Sequence, residues 1–158
     1  MRPKGLTKDS LTKEQLLSEI ALLEKKFDII VNHSESVETW ILPDMSVAFV
    51  SPGIEELTGY TQIDFLKDEH LFDKMIHPDD LQEYKQLYGK TDETGMPAEI
   101  DRRIVCKSGE TRWIHTRITR IYDDHQHFAG YRTSSIDITS RKVAQMELQR
   151  SYTQLKEL

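Results

Sequence analysis

Histidine, cysteine and paired carboxylate side chains are the groups in this sequence that could do chemistry. The chain has six histidines and a single cysteine, Cys106. One cysteine excludes an internal disulfide and a zinc site made of several thiolates, and it fits a reducing compartment. We expect Cys106 to act as a small buried hydrophobe. His77 precedes Pro78 at a predicted helix start, where a capping role is expected, whereas His70 falls among short central helices.

Adjacent carboxylates could form an acid–base pair if their side chains converged. Three such pairs are present: Glu55 and Glu56, Asp79 and Asp80, and Asp123 and Asp124. All three fall at predicted helix or turn positions, where neighbouring side chains diverge. They are interpreted as caps and solvated surface. The sequence therefore predicts a chain that is not itself catalytic and has no metal site.

Length and charge limit the class of protein further. The 158 residues suffice for one domain with additional helix, and the net charge of −6 argues against nucleic acid as a partner. No stretch approaches the roughly 20 apolar residues of a membrane span, so direct membrane insertion is not expected. A cytoplasmic location is predicted.

The N-terminal segment has the pattern of an amphipathic helix. Residues 1–11 are expected to form a flexible tail, and Thr12 with Gln15 has the form of a capping box that opens a helix over 12–34. Apolar residues then recur at heptad spacing: Leu16, Ile20, Leu23, Phe27 and Ile30. This seam either packs on its own domain or pairs with a second copy in a homodimer.

The order of elements in the middle of the chain indicates an α+β domain over 35–139. Two short β-favouring runs come first, several short helices follow, and three long strands with period-two patterning complete the domain. This order predicts helices on one face of an antiparallel sheet. The last strand runs without glycine or proline into an amphipathic helix over 140–158, the exit helix, which has its own heptad frame typical of a signalling coiled coil.

Four motifs in this region resemble a PAS domain with its PAC-type C-terminal half. The first spans Phe49 to Tyr60, the second is Ile76-His-Pro-Asp-Asp80, the third spans Arg103 to Ile114, and the last spans Gly130 to Thr139. The resemblance covers about two-thirds of the chain. It implies a five-stranded sheet in the order 2-1-5-4-3, a small cavity between sheet and helices, and flanking helices that mediate dimerisation and output.

The resemblance also suggests where a ligand or cofactor would bind. Nine side chains are expected to line one apolar core between sheet and helices: Ile41, Phe49, Leu57, Phe65, Leu71, Phe72, Ile76, Tyr84 and Ile104. Haem-binding members take their axial histidine from the central helices, which leaves His70 and His77 as weak candidates. Cys106 lies outside the setting that flavin-binding members use. The cofactor is thus unidentified, and haem and flavin are disfavoured.

At the strand-to-helix junction we expect four residues to act together: Asp137, Thr139, Trp113 and Arg112. Asp137 should be partly buried and cap the exit helix, with Thr139 as the competing cap. Relatives imply a further contact from Asp137 to Arg112 or to the Trp113 indole.

The resemblance implies a sensory and dimerisation module of a signal-transduction protein, with a two-component histidine kinase as the first expectation. A small-molecule ligand or partner would bias the exit helix, which would act on a downstream output domain in a longer parent chain. The alternative is a purely structural protein–protein interaction module with a filled core and no ligand.

Overall fold

A computed structural model describes residues 12–32 and 34–157 of the chain. The predicted tail, residues 1–11, lies outside the described residues. The chain divides into two compact units, residues 1–34 and 35–158. Across the part of the chain that the structure describes, no helix is long and apolar enough to cross a membrane.

The first unit contains helix α1, Lys13–Asn32. Its start confirms the predicted capping box, because the Thr12 N–H donates to Gln15 Oε1 at 2.9 Å and the Gln15 N–H donates to Thr12 Oγ1 at 3.2 Å. The five seam side chains of α1 are exposed, from 37% for Leu16 to 72% for Ile30. Pairing of this seam with a second copy stays a prediction.

The second unit contains the sheet and the remaining described helices. In chain order these are β1 Val37–Ile41, β2 Val47–Val50, α2 Ile54–Thr58, α3 Gln62–Lys67, α4 Leu71–Met75, α5 Pro78–Thr94, β3 Ala98–Val105, β4 Thr111–Tyr122, β5 Phe128–Asp137 and α6 Thr139–Lys156. The five strands pair antiparallel in the order β2-β1-β5-β4-β3, which confirms the predicted order.

The buried interior corrects one expectation, because two apolar clusters form instead of one. The first cluster includes Leu57, Phe65 and Ile104, and the second includes Ile41 and Tyr84. The strands show the reason. On β3, β4 and β1 the residue between the two apolar clusters is a buried polar one, so a polar row crosses the inner face of the sheet.

Candidate functional site

The polar row consists of buried side chains at inward positions of four neighbouring strands: Thr39, Arg102, Thr116, Thr133 and Ser135. Along β3, Arg102 lies between Ile100 of the second cluster and Ile104 of the first. The hydroxyls of Thr116 and Ser135 are hydrogen-bonded to each other at 3.0 Å. The interior of the domain is therefore partly polar, which is a property of a binding site more than of a filled core.

A cavity of about 500 Å³ opens between the β1–β2 turn and helices α4 and α5. Apolar and aromatic side chains form much of its wall: Ile41, Met45, Val47, Phe72, Tyr84 and Tyr88. Charged and titratable residues complete it: Asp44, Glu69, His70, Asp73 and Lys85. Its size and mixed lining suit a small molecule with an apolar body.

The nine residues predicted to line the core lie in different places. Seven are buried: Ile41, Leu57, Phe65, Leu71, Ile76, Tyr84 and Ile104. Phe49 and Phe72 are partly exposed. Of the nine, Ile41, Phe72 and Tyr84 belong to the cavity wall, whereas Leu57, Phe65, Leu71, Ile76 and Ile104 pack within the two clusters and Phe49 belongs to neither group. No measurement assigns any of them to a ligand, so their role stays a prediction.

Tyr84 and Tyr88 connect the cavity to the polar row. Their hydroxyls lie 2.8 Å apart, and the Arg102 guanidinium carbon lies 4.5 Å from the centre of the Tyr84 ring. Burial, reinforced by the neighbouring Tyr84, raises the pKa of Tyr88 well above its ordinary value. The Tyr88 phenol therefore stays protonated at neutral pH and can donate or accept a hydrogen bond.

The residues considered for metal and thiol chemistry lie in three different environments. His70 is 68% exposed at the cavity edge, and His77 Nδ1 accepts the Asp79 N–H at 3.2 Å, which confirms the expected capping role. Cys106 is buried in the first cluster, as predicted, and burial raises the pKa of its thiol. Within residues 12–32 and 34–157, no group of three or more histidine, cysteine or acidic side chains could hold a metal ion.

The backbone of Trp113 on β4 is hydrogen-bonded to the start of the exit helix α6. Its carbonyl accepts the Ile138 N–H at 2.8 Å, and its own N–H donates to Thr139 Oγ1 at 3.0 Å. The Lys142 ammonium lies 5.0 Å from the centre of its ring, and the Arg103 guanidinium lies 5.4 Å from it. The first turn of α6 is thus bonded to the backbone of a central strand.

Asp137 differs from the expectation in two respects, its exposure and the identity of the N-cap, whereas its bond to a backbone N–H at the helix start and its contact with Arg112 agree with it. The N-cap of α6 is Ile138, since Asp137 is still paired in the sheet opposite Ile114. The side chain of Asp137 is exposed, and its Oδ1 accepts the Thr139 N–H at 2.9 Å and the Thr139 hydroxyl at 2.6 Å. Arg112 Nη1 lies 3.9 Å from Asp137 Oδ2, while the Trp113 indole has no hydrogen bond to it among the described residues.

Arg112 mainly links the sheet to helix α2. Its Nη1 donates to the Leu57 carbonyl at 2.9 Å and to the Glu56 carbonyl at 3.1 Å, and its Nε donates to Glu110 at 3.2 Å. Because the last carbonyls of a helix lack partners within it, a guanidinium there stabilises the helix end. Arg112 therefore contacts both the end of α2 and, through Asp137, the junction with α6.

Two site residues were missed from the sequence. Arg102 has a detectable signal, since it shares the inward register of Ile100 and Ile104 in a strand with period-two patterning. Asp101, which bonds Lys142 of α6 at 2.8 Å, has none, because the two residues meet only after the sheet is formed.

Comparison with known proteins places this geometry in a family. Residues 47–132 match the PAS fold family. A methyl sulfide methyltransferase-associated sensor from Methanosarcina acetivorans is 35% identical over 104 residues, which cover 65% of this chain and 10% of that protein. This chain therefore spans about a tenth of the length of that curated relative.

Solved structures share the same fold. A sensory box histidine kinase/response regulator from Burkholderia thailandensis aligns with a TM-score of 0.66 and 20% identity, over 84% of this chain and 99% of that chain. The PAS domain of a protein from Colwellia psychrerythraea aligns with a TM-score of 0.65 and 17% identity, over 75% and 98%. The match over residues 47–132 and the sheet order together show that this chain belongs to the PAS family, the sensor modules of signalling proteins.

Proposed function

We propose that this PAS domain is the cytoplasmic sensory module of a dimeric signalling protein, most simply a histidine kinase, and relays binding in its cavity to an output domain through α6. One observation carries the proposal. The first turn of α6 is hydrogen-bonded to Trp113 on β4, and β4 also contacts α5, one of the helices that line the cavity. A ligand that prefers one arrangement of sheet and helices thereby prefers one orientation of α6.

The cavity favours a sensor over the alternative of an interaction module with a filled core. A space of about 500 Å³ beside Phe72 and Tyr84 is large enough for a small metabolite. The buried polar row adds hydrogen-bonding groups that apolar packing does not require.

Exposed apolar residues on both terminal helices support the dimer. On α6, Val143, Leu148 and Leu155 are exposed, and the α1 seam is exposed along its length. Apolar stripes at heptad spacing are covered when two copies of a helix pair. The Methanosarcina relative, a sensor by name, supports the sensory role, and the choice of a histidine kinase follows the Burkholderia protein, which shares the fold.

The relay is tested by Thr139→Val in the full parent protein. Valine keeps the shape of threonine but removes the oxygen that accepts the Trp113 N–H, so the start of α6 loses one of its two hydrogen bonds to Trp113 and keeps the one from the Ile138 N–H. We expect altered autophosphorylation, or altered output of whichever domain follows, with ligand affinity retained. Thr153→Val is the matched control, since the Thr153 hydroxyl bonds only within α6, to the Gln149 carbonyl. Output that is the same in Thr139→Val, Thr153→Val and the parent would refute the relay.

A further inference from the structure

Arg102 is a buried residue whose guanidinium has two nitrogen atoms without a hydrogen-bond partner among the described residues. Its side chain is on the inner face of β3, and the residue is 4% exposed. Among the described residues, neither its Nε nor its Nη1 has a hydrogen-bond partner. These two atoms carry most of the N–H donors of a guanidinium, a group that stays charged at any physiological pH. A buried charge of this kind is costly unless an anion pairs with it.

The surroundings of Arg102 place this unused donor set next to the cavity. The Tyr84 ring lies 4.5 Å from the guanidinium carbon and also forms part of the cavity wall. A ligand anchored by Arg102 would therefore displace the Tyr84 side chain. Asp73, the carboxylate that α4 contributes to the cavity wall, is paired with Lys85 at 3.1 Å.

The side chains that line the cavity favour an anion with an apolar body and a single negative charge. Ile41, Met45, Val47 and Phe72 offer an apolar surface for a hydrocarbon body. At the rim, hydrogen bonds from Ser46 lower the pKa of Asp44, and Glu69 adds a second acidic group. A second carboxylate on the ligand would therefore be repelled at the rim.

We propose that Arg102 anchors the carboxylate of a small monocarboxylic acid with an apolar body, which occupies this cavity as the sensed ligand. The Tyr84 and Tyr88 hydroxyls, 2.8 Å apart, provide further hydrogen bonds to the carboxylate oxygens. The inference rests on the sensory function proposed above and names the chemical class of its ligand.

The probe is 4-methylpentanoate, with two matched comparisons. The neutral 4-methylpentanamide keeps the shape without the charge, and succinate adds a second carboxylate in place of the apolar body. Calorimetric titration of the intact chain should detect 4-methylpentanoate, with the amide at least about tenfold weaker, as expected for loss of a charge-assisted hydrogen bond. Succinate should not bind. Equal affinity for the acid and the amide, or no binding of either, would overturn the proposal.

Arg102→Met tests the anchor itself. Removal of an unpaired buried charge should leave the unfolding temperature of the ligand-free protein unchanged or higher, and should abolish the shift caused by 4-methylpentanoate. Arg117→Met is the control, since Arg117 is 54% exposed on β4 and is paired with Glu99. A lower unfolding temperature with an unchanged ligand shift would make Arg102 a purely structural residue and overturn the proposal.

A measurement on the unsubstituted protein removes any dependence on folding of the variant. The ¹⁵Nε–¹H resonance of Arg102 should move when 4-methylpentanoate is added, and the resonance of Arg117 should not. Binding that moves Arg102 but leaves amide exchange in α6 unchanged would support the anchor and refute the relay. An unmoved Arg102 resonance at saturating probe would refute the anchor and leave the Thr139→Val test of the relay unaffected.

Discussion

Lys142 and Asp101 join the exit helix to the sheet through an ion pair. Lys142 Nζ, one turn into α6, lies 2.8 Å from Asp101 Oδ2 on β3, and His115 Nδ1 on β4 lies 2.7 Å from the other oxygen, Oδ1. Hydrogen bonds from Lys142 and then from His115 lower the pKa of the Asp101 carboxyl. One carboxylate thus holds the neighbouring strand and the exit helix at the same time.

Lys142→Met should loosen the start of α6. Loss of the ion pair removes about 0.2–1 kcal/mol of stability, the usual range for a pair near the surface. We expect faster amide hydrogen exchange in the first turns of α6, with exchange in β3 unchanged. Lys156→Met, in the last turn of the same helix, is the control. Equal exchange in the two variants would show that the pair does not hold the helix.

The same pair predicts acid sensitivity. Because the folded-state pKa of Asp101 is lowered, its stabilisation is present above the unfolded-state pKa of about 3.9 and is lost as pH falls through the folded-state value. The free energy of unfolding of Asp101→Asn should therefore fall less steeply below about pH 4 than that of the unsubstituted chain. Parallel pH profiles from chemical denaturation would contradict this assignment.

Asp137→Ala should destabilise the junction through the loss of a local cap. The carboxylate accepts both the N–H and the hydroxyl of Thr139, and removal of such acceptors typically costs about 0.5–2 kcal/mol. Asp137→Asn keeps an acceptor oxygen and should retain most of the stability. Thermal unfolding of the two variants measures both effects. An equal loss of stability in the alanine and asparagine variants would contradict the capping role. It would show that Asp137 stabilises the junction through its charge near Arg112.

Gly130→Ala should be one of the most damaging single substitutions on β5. Gly130 has a φ of 119°, and a Cβ built on it would lie 2.1 Å from the Ile41 carbonyl oxygen on β1, so the strands would have to separate. We expect loss of soluble folded protein. Gly89→Ala is the matched control inside α5, where a Cβ meets nothing within 4 Å. Because alanine favours a helix more than glycine does, this substitution should raise the free energy of unfolding by about 0.5–1 kcal/mol.

Tyr131 predicts a loss of stability at alkaline pH. Burial and a hydrogen bond to Asp92 raise the pKa of its phenol to about 12. The unfolded chain releases this proton near pH 10, so the stabilisation is complete below about pH 10 and is lost between there and pH 12. Tyr131→Phe should show a shallower decline in unfolding free energy over this interval. The same slope for both proteins would contradict the assignment.

Deletion of residues 1–31 should weaken the proposed homodimer. The exposed seam of α1 would be removed, and pairing through α6 alone would remain. Light scattering at about tens of micromolar, where a weak helix-mediated dimer still forms, should give a lower apparent mass for the deleted chain. A monomeric intact chain under these conditions would refute the dimer.

Local patterns in the sequence determined the elements and their arrangement. Thr12 and Gln15 encode a helix start that is complete within four residues, and the alternation of Ile100, Arg102 and Ile104 encodes a half-buried strand. The order of two strands, short helices and three longer strands then restricted the fold to an antiparallel sheet with helices on one face. These features depend on neighbours close along the chain, so a single sequence suffices to predict them.

The contacts that make the site depend on tertiary structure. Asp101 and Lys142 are far apart in sequence, and only the pairing of β3 with β4 and of β4 with β5 brings the carboxylate to the first turn of α6. The sequence could not predict that two nitrogen atoms of Arg102 lack hydrogen-bond partners among the described residues. A strand pattern shows on which face of the sheet a side chain lies but not which residues it contacts. The register of several strands determines which side chains are in contact. That register is set only when the complete sheet has packed against its helices.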